Sequence, residues 1–267
     1  MRNETYVNGT EYRVVGLSRS GTHAVINWLL AQVEGRYCFL NCAEPKSNPY
    51  LSARSLDTGL PYEVNFDGFD LEREQAGEFS HKDVLLHGYE DCFLGMVCNK
   101  QAERQHDAFV GASARRIDVL ILRDPFNLFA SRKKAGIYRG APDGENIATW
   151  RTIARIWKQH AKAFTREHNY FTQPLVTINY NRWARDADYR AQLAARLGVK
   201  FSDAGFRSVP AVARGSSFDG TRYQGRPEKM DVLERWRHFK DDPHFWSLFE
   251  DDLVRLSKEI FGLAPGA

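Results

Sequence analysis

Cysteine is sparse in this chain of 267 residues: Cys38, Cys42, Cys92 and Cys98 are the full set, with no C-x-x-C pair among them. That excludes a disulfide scaffold and offers no zinc-type ligand spacing, so core thiols in a reducing compartment are expected, with no metal. An excess of one charge is also missing. Lys and Arg number 37 against 34 Asp and Glu, a net charge of +3, too small to mark a nucleic-acid binder. No apolar run approaches the roughly 18 residues of a membrane span. The stretch Met1-Arg2-Asn3-Glu4-Thr5-Tyr6 has no apolar signal-peptide core. A cytoplasmic protein without a membrane span is the expectation.

Hydrophobic residues make up 43% of the chain, enough for a sizeable core, and the length suits one large α/β domain over residues 1–267. Buried strands are expected at 12–17, 36–42, 83–87, 117–122 and 174–179. Helices are expected at 22–34, 145–166, 186–197, 230–239 and 244–261. Strands alternating with helices predict a three-layer α/β/α fold around a parallel sheet of about five strands. Residues 43–82 and 203–229 lack a sustained period and are expected as long loops that shape a substrate pocket. On the helix at 145–166, the stripe Arg151, Arg155, Lys158 and Lys162 fits a solvated face better than a track for an anionic substrate. Trp28, Trp150, Trp157 and Trp246 fit core positions.

Residues 12–23, Tyr-Arg-Val-Val-Gly-Leu-Ser-Arg-Ser-Gly-Thr-His, form a strand, a loop bounded by glycines and a helix start. Gly16 and Gly21 have the P-loop spacing G-x-x-x-x-G, but Thr22 and His23 stand where that motif has Lys and Ser/Thr. The usual cation for a β/γ-phosphate and the usual Mg²⁺ hydroxyl are therefore absent. What remains is a cradle of free backbone N–H groups with one cation, Arg19.

A second anion grip is expected at Leu122-Arg123-Asp124-Pro125, where the most apolar strand ends. Ligands of open parallel sheets bind beyond the carboxyl ends of strands. Arg123 and, eight residues on, Ser131 can converge there on one phosphate, the first as a planar fork and the second as a hydroxyl.

Together, Arg19-Ser20-Gly21-Thr22 and Arg123…Ser131 resemble the two signatures of sulfotransferases that use 3′-phosphoadenosine 5′-phosphosulfate (PAPS). The resemblance runs in outline from about residue 12 to 262 and implies a P-loop NTPase-like fold. It also implies sulfuryl transfer from PAPS to a small-molecule or glycan acceptor. Ser18, Arg19, Ser20, Gly21, Thr22 and His23 would then hold the 5′-phosphosulfate, with Arg19 also neutralising charge on the leaving group. Arg123 and Ser131 would hold the 3′-phosphate. Tyr180, ending Leu-Val-Thr-Ile-Asn-Tyr, would lie near the adenine. Residues 230–239 are similar to the family's G-x-W-[K/R] region. The loop before them lacks the family's R-K-G sequence, and Ser217, Arg222 and Arg226 are its candidates for further 3′-phosphate contacts. The family's base is a His at the end of the strand preceding the Arg…Ser segment, which points to His87. In the glycan-modifying branch it is a Glu, which points to Glu90. Two other functions use the same features. One is a divergent P-loop kinase, with Asp124 as its Mg²⁺ carboxylate. The other is a non-catalytic nucleotide-binding module.

Overall fold

The protein is described here by a computed structural model that covers residues 6–136, 147–210 and 215–265. Its sheet has six strands: β1 (Asn8–Gly16), β2 (Tyr37–Leu40), β3 (Tyr62–Val64), β4 (Lys82–Glu90), β5 (Ser113–Leu122) and β6 (Leu175–Asn179). They lie in the order β3-β2-β4-β1-β5-β6. Five run parallel, and only the short edge strand β3 is antiparallel, against β2. The chain leaves β1 toward β2 on one side and leaves β5 toward β6 on the other. The crevice between those departures opens beyond the carboxyl ends of β1 and β5.

Side-chain alternation divides the core between the two faces of the sheet. Tyr12, Val14, Leu86, Val119 and Ile178 pack with Trp28 and Leu29 of α1 (Thr22–Leu30), Trp183 of α8 (Tyr180–Trp183) and Leu193 of α9 (Ala187–Leu197). On the opposite face Val15 and Leu120 meet Leu94 of α4 (Leu94–Val97) and Ala163 of α7 (Ile147–Phe164). Helix α6 (Pro125–Ala135) is buried on all sides from Pro125 to Arg132, polar residues included, and packs under α7 and α11 (Asp251–Phe261), with Trp150 and Trp157 fully buried there. Lys158 and Lys162 of the basic stripe pair with Glu250 at 2.6 Å and Asp252 at 3.8 Å beside α11.

The expected α/β/α layers are thus the observed ones, but boundaries differ. Residues 43–82 hold α2 (Pro49–Ser52), β3 and α3 (Leu71–Gln75). The polar stretch after β4 forms a helix not anticipated, α5 (Lys100–Val110), capped by Asn99, whose Oδ1 accepts from the N–H of Gln101. Residues 230–239 are not an α-helix; only Arg235–Phe239 winds, as a 3-10 turn. The expected helix at 244–261 is broken into α10 (Pro243–Trp246) and α11. The consequential difference is β4, which runs on through Gly88 and Tyr89 to Glu90 rather than closing at His87.

Candidate functional site

The loop from Leu17 to Gly21 turns sharply: Arg19 takes φ 72° and Gly21 φ 81°, both left-handed. Gly21 is needed twice over, because an added Cβ would also stand 2.1 Å from the ring of Tyr180. No side chain caps α1, and the N–H groups of Gly21, Thr22 and His23 find no acceptor among the described residues. The buried hydroxyls of Ser20 and Thr22 are likewise without a partner. Buried donors left open at a helix start are the makings of an anion site. An ion pair steadies the loop from outside. The carboxylate of Asp91 accepts from both terminal nitrogens of Arg132, at 2.8 and 2.9 Å, and from the N–H of Ser18 at 3.1 Å.

From the end of β5, Arg123 reaches this loop. Its Nη1 donates to the carbonyl of Arg19 at 2.9 Å and to Ser131 Oγ at 3.2 Å, and its Nη2 donates to the carbonyl of Val232. Its Nε is buried without a partner. Pro125 and the N-cap Asp124 start α6 directly after it, so Ser131 sits two turns on, facing back. The Asp124 carboxylate is engaged by the N–H of Asn127 at 2.8 Å and by Asn181 Nδ2 at 2.9 Å, which makes it part of the scaffold.

A third arginine completes the cluster. Arg235 donates to Ser131 Oγ at 3.1 Å and to Ser216 Oγ at 2.7 Å, with Asp219 at 3.4 Å. It is delivered by its own N–H, which donates to Asn127 Oδ1 at 2.7 Å. No sequence spacing ties position 235 to 123 or 131; the W-[K/R] resemblance of its segment was the only pointer. Arg19, whose Nη2 donates to the Gly215 carbonyl at 2.8 Å, closes the ring. Burial and mutual repulsion push the guanidinium affinities down: Arg235, crowded by Arg123, falls to about 10, and Arg19, also crowded by Arg123, is lowered. Burial alone leads the fall at Arg123. Three cations converge here, with Asp219 at the margin and Glu90 near Arg19, and form a place for a multiply charged anion.

These groups line a cavity of about 130 Å³ that also takes in His23, Glu90 and Tyr180. Beside Tyr180 a second cavity of about 400 Å³ opens, walled by Trp183 and Phe206. Arg19 and Arg123, one from each motif, thus line the same cavity, and the second space adjoins it at Tyr180. Glu90 pairs in register with Gly16, at the very end of β4. Burial, helped by the charge of Asp91 and opposed by His23, raises its carboxyl above the ordinary 4.5. His23 meets Asn41 Oδ1 through Nε2 at 2.9 Å.

Of the two candidate bases, Glu90 lines this cavity and His87 does not. Three residues upstream of Glu90, its side chain points to the other face of the sheet, where Nε2 meets Glu11 Oε1 at 2.9 Å. Arg222 and Arg226 also depart from expectation: both are exposed on tight turns and line neither cavity. Ser217 has a buried, unpartnered Oγ, but its neighbour Ser216 is the residue that lines the anion cavity. Ser18 lines it too, while Ser20 and Ser131 lie just behind. Among the described residues, no group of three or more His, Cys, Asp or Glu is clustered as metal ligands, and no helix is long and apolar enough to cross a membrane.

No protein-family model matches the sequence, and no curated protein matches it. Solved structures do. A sulfotransferase domain from the curacin biosynthetic pathway is 12% identical and matches over 96% of this chain and 98% of its own, with a TM-score of 0.47. Mouse sulfotransferase SULT7A1, solved with PAP, is 14% identical over 94% of this chain and 87% of its own, TM-score 0.44. Retinol dehydratase, solved with androsterone and the inactive cofactor PAP, is 13% identical over 94% and 79%, TM-score 0.39. The chain is thus similar, across nearly its whole length, to solved sulfotransferases at low sequence identity.

Proposed function

We propose that this protein transfers a sulfuryl group from PAPS to an acceptor hydroxyl or amine and releases adenosine 3′,5′-bisphosphate. The observation that carries the reading is the ring of Arg19, Arg123 and Arg235 around Ser131 and an open helix start, with buried Ser20, Thr22 and Arg123 donors still unpartnered. Such donors fit a ligand with a charged group at each end of a nucleoside.

When bound, PAPS supplies the sulfuryl group and a phosphate leaving group. Arg19 and the N–H groups of Gly21, Thr22 and His23 hold the 5′ end and neutralise charge that builds on the leaving oxygen; one such donor is worth about 3 kcal/mol. Arg123, Arg235 and Ser131 hold the 3′-phosphate as a fork, a second fork and a hydroxyl. Tyr180, Trp183 and Phe206 flank the space for adenosine. Glu90 takes the proton of the attacking hydroxyl, and its raised affinity suits a base that works near neutral pH. His23, tied to Asn41, orients beside it.

Titration calorimetry with adenosine 3′,5′-bisphosphate in metal-free buffer tests the reading. Binding that is lost in Arg123→Ala supports it. Failure of the bisphosphate to bind, with Mg·ATP binding instead, replaces it by phosphoryl transfer.

A further inference from the structure

The sulfuryl-transfer reading, on which this inference rests, puts the nucleotide over β1, β5 and the end of β6. Glu90 stands on the other side of β1, at the end of β4, and β4 is flanked by β2. A hydroxyl presented to Glu90 therefore arrives across the ends of β4 and β2. The residues that follow β2 there are Asn41 and Cys42.

Arg54 is fastened to that spot by its backbone. Its N–H donates to the Asn41 carbonyl at 2.7 Å, and Asn41 Nδ2 donates to the Arg54 carbonyl at 3.1 Å. The same Asn41 side chain holds His23 in the cavity. The Arg54 side chain is exposed, and its charge reaches the thiols of Cys42 and Cys92. Those thiols belong to the Glu90 surroundings, since Cys92 Sγ donates to the Glu90 carbonyl at 3.1 Å. Among the described residues no carboxylate pairs with Arg54. Asp91, next to Glu90, is engaged by Arg132. A second cation stands beyond: Arg155 is exposed, with its guanidinium 5.9 Å from the ring of Phe93, just past Cys92. It contrasts with Lys158 and Lys162 on the same helix, which are paired with acids.

We infer that the acceptor carries an anionic group, a carboxylate, sulfate ester or phosphate ester, which Arg54 binds while the reacting hydroxyl faces Glu90, with Arg155 extending the same basic rim. A guanidinium fork pinned through its backbone, yet lacking an internal partner, is suited to a planar or tetrahedral oxyanion from outside.

The test uses two acceptor pairs in which a carboxylate is replaced by its neutral amide: 4-hydroxybenzoate with 4-hydroxybenzamide, and a methyl glucuronide with the methyl glucuronamide. Affinity is measured on protein saturated with adenosine 3′,5′-bisphosphate, and transfer is measured with labelled PAPS. The acid of at least one pair is expected to bind roughly tenfold tighter than its neutral partner. That preference should vanish in Arg54→Gln, shrink in Arg155→Gln, fade with added salt, and survive in the control Lys200→Gln. Equal affinity within both pairs, including no binding of any of the four, overturns the inference, as does a preference unchanged in Arg54→Gln. Bisphosphate affinity separates the two levels: if the wild-type protein does not bind bisphosphate, the sulfuryl-transfer reading falls first. Intact bisphosphate binding without charge preference sinks only the acceptor class.

Discussion

Arg123 donates to the carbonyl of Arg19 at 2.9 Å, so the two anion grips, 104 residues apart in sequence, are one hydrogen bond apart in space. The same guanidinium touches Ser131, which also serves Arg235. Removing the shared hydroxyl leaves two buried arginines each short of one acceptor and the ligand short of one donor. Ser131→Ala is expected to weaken bisphosphate binding roughly tenfold, and Arg123→Ala or Arg235→Ala at least 100-fold, about 3 kcal/mol. Calorimetry checks this, with circular dichroism to establish that each variant is folded. Undiminished affinity in Arg235→Ala would remove that residue from the site.

Glu90 and His87 make opposite predictions although they share a strand. Glu90→Gln is expected to lower the transfer rate by roughly 10²–10⁴ while leaving bisphosphate affinity near wild type. His87→Gln is expected to leave the rate little changed. Because the Glu90 carboxyl is raised above 4.5 and must be ionised to act as base, the rate should fall as pH drops through that raised value. The acid limb therefore lies above the ordinary carboxylate range. A pH–rate profile of wild type beside Glu90→Asp checks it; an acid limb below 4.5 contradicts the assignment.

Both grips could be read in the sequence because each is local. A glycine-bounded turn after a strand, and an Arg at a strand end followed by Asp-Pro and a hydroxyl two helical turns on, need only short-range geometry. The third cation could not be read. Arg235 is brought in by Asn127 and met by Ser216, neither of which is a sequence neighbour. His87, one of the two candidate bases, lies off the cavity for a different reason. The apolar run of Asp83 to His87 suggests a strand ending there, and Gly88 reads as a break. Pairing with β1 carries the strand three residues further, and that odd number of steps exchanges the faces. The resemblance of their loop points Arg222 and Arg226 to the 3′-phosphate, but turns closed by the Asp219 and Tyr223 carbonyls leave them exposed.

Gly21 is a test of the cradle's shape. An Ala there would meet a left-handed backbone costing about 1–2 kcal/mol, and its Cβ would strike the Tyr180 ring. Gly21→Ala is expected to lower the thermal midpoint and abolish bisphosphate binding. The double variant Gly21→Ala, Tyr180→Ala relieves the clash but not the backbone, so it should regain part of the lost midpoint without full affinity. Complete recovery would show that the backbone conformation is immaterial.

The far face of the sheet carries a prediction about stability. Glu11 is buried between His87 and His106, accepting from both imidazoles at 2.8–2.9 Å. Burial lowers His87 below 6.5 despite Glu11. Burial works against charged His106 as well, but hydrogen bonds to Glu11 and Asp107 prevail and raise it above 6.5. The signs then differ. The raised His106 contributes stability that is complete below 6.5 and is lost as pH rises through its folded value. The lowered His87 contributes stability that is complete above 6.5 and is lost as pH falls toward its folded value. Together they place a maximum near 6.5. Urea midpoints measured from pH 5 to 9 should show it. His106→Gln should flatten the alkaline slope and His87→Gln the acid slope. If His106→Gln instead leaves the alkaline slope intact, Glu11 does not hold a charged imidazolium there.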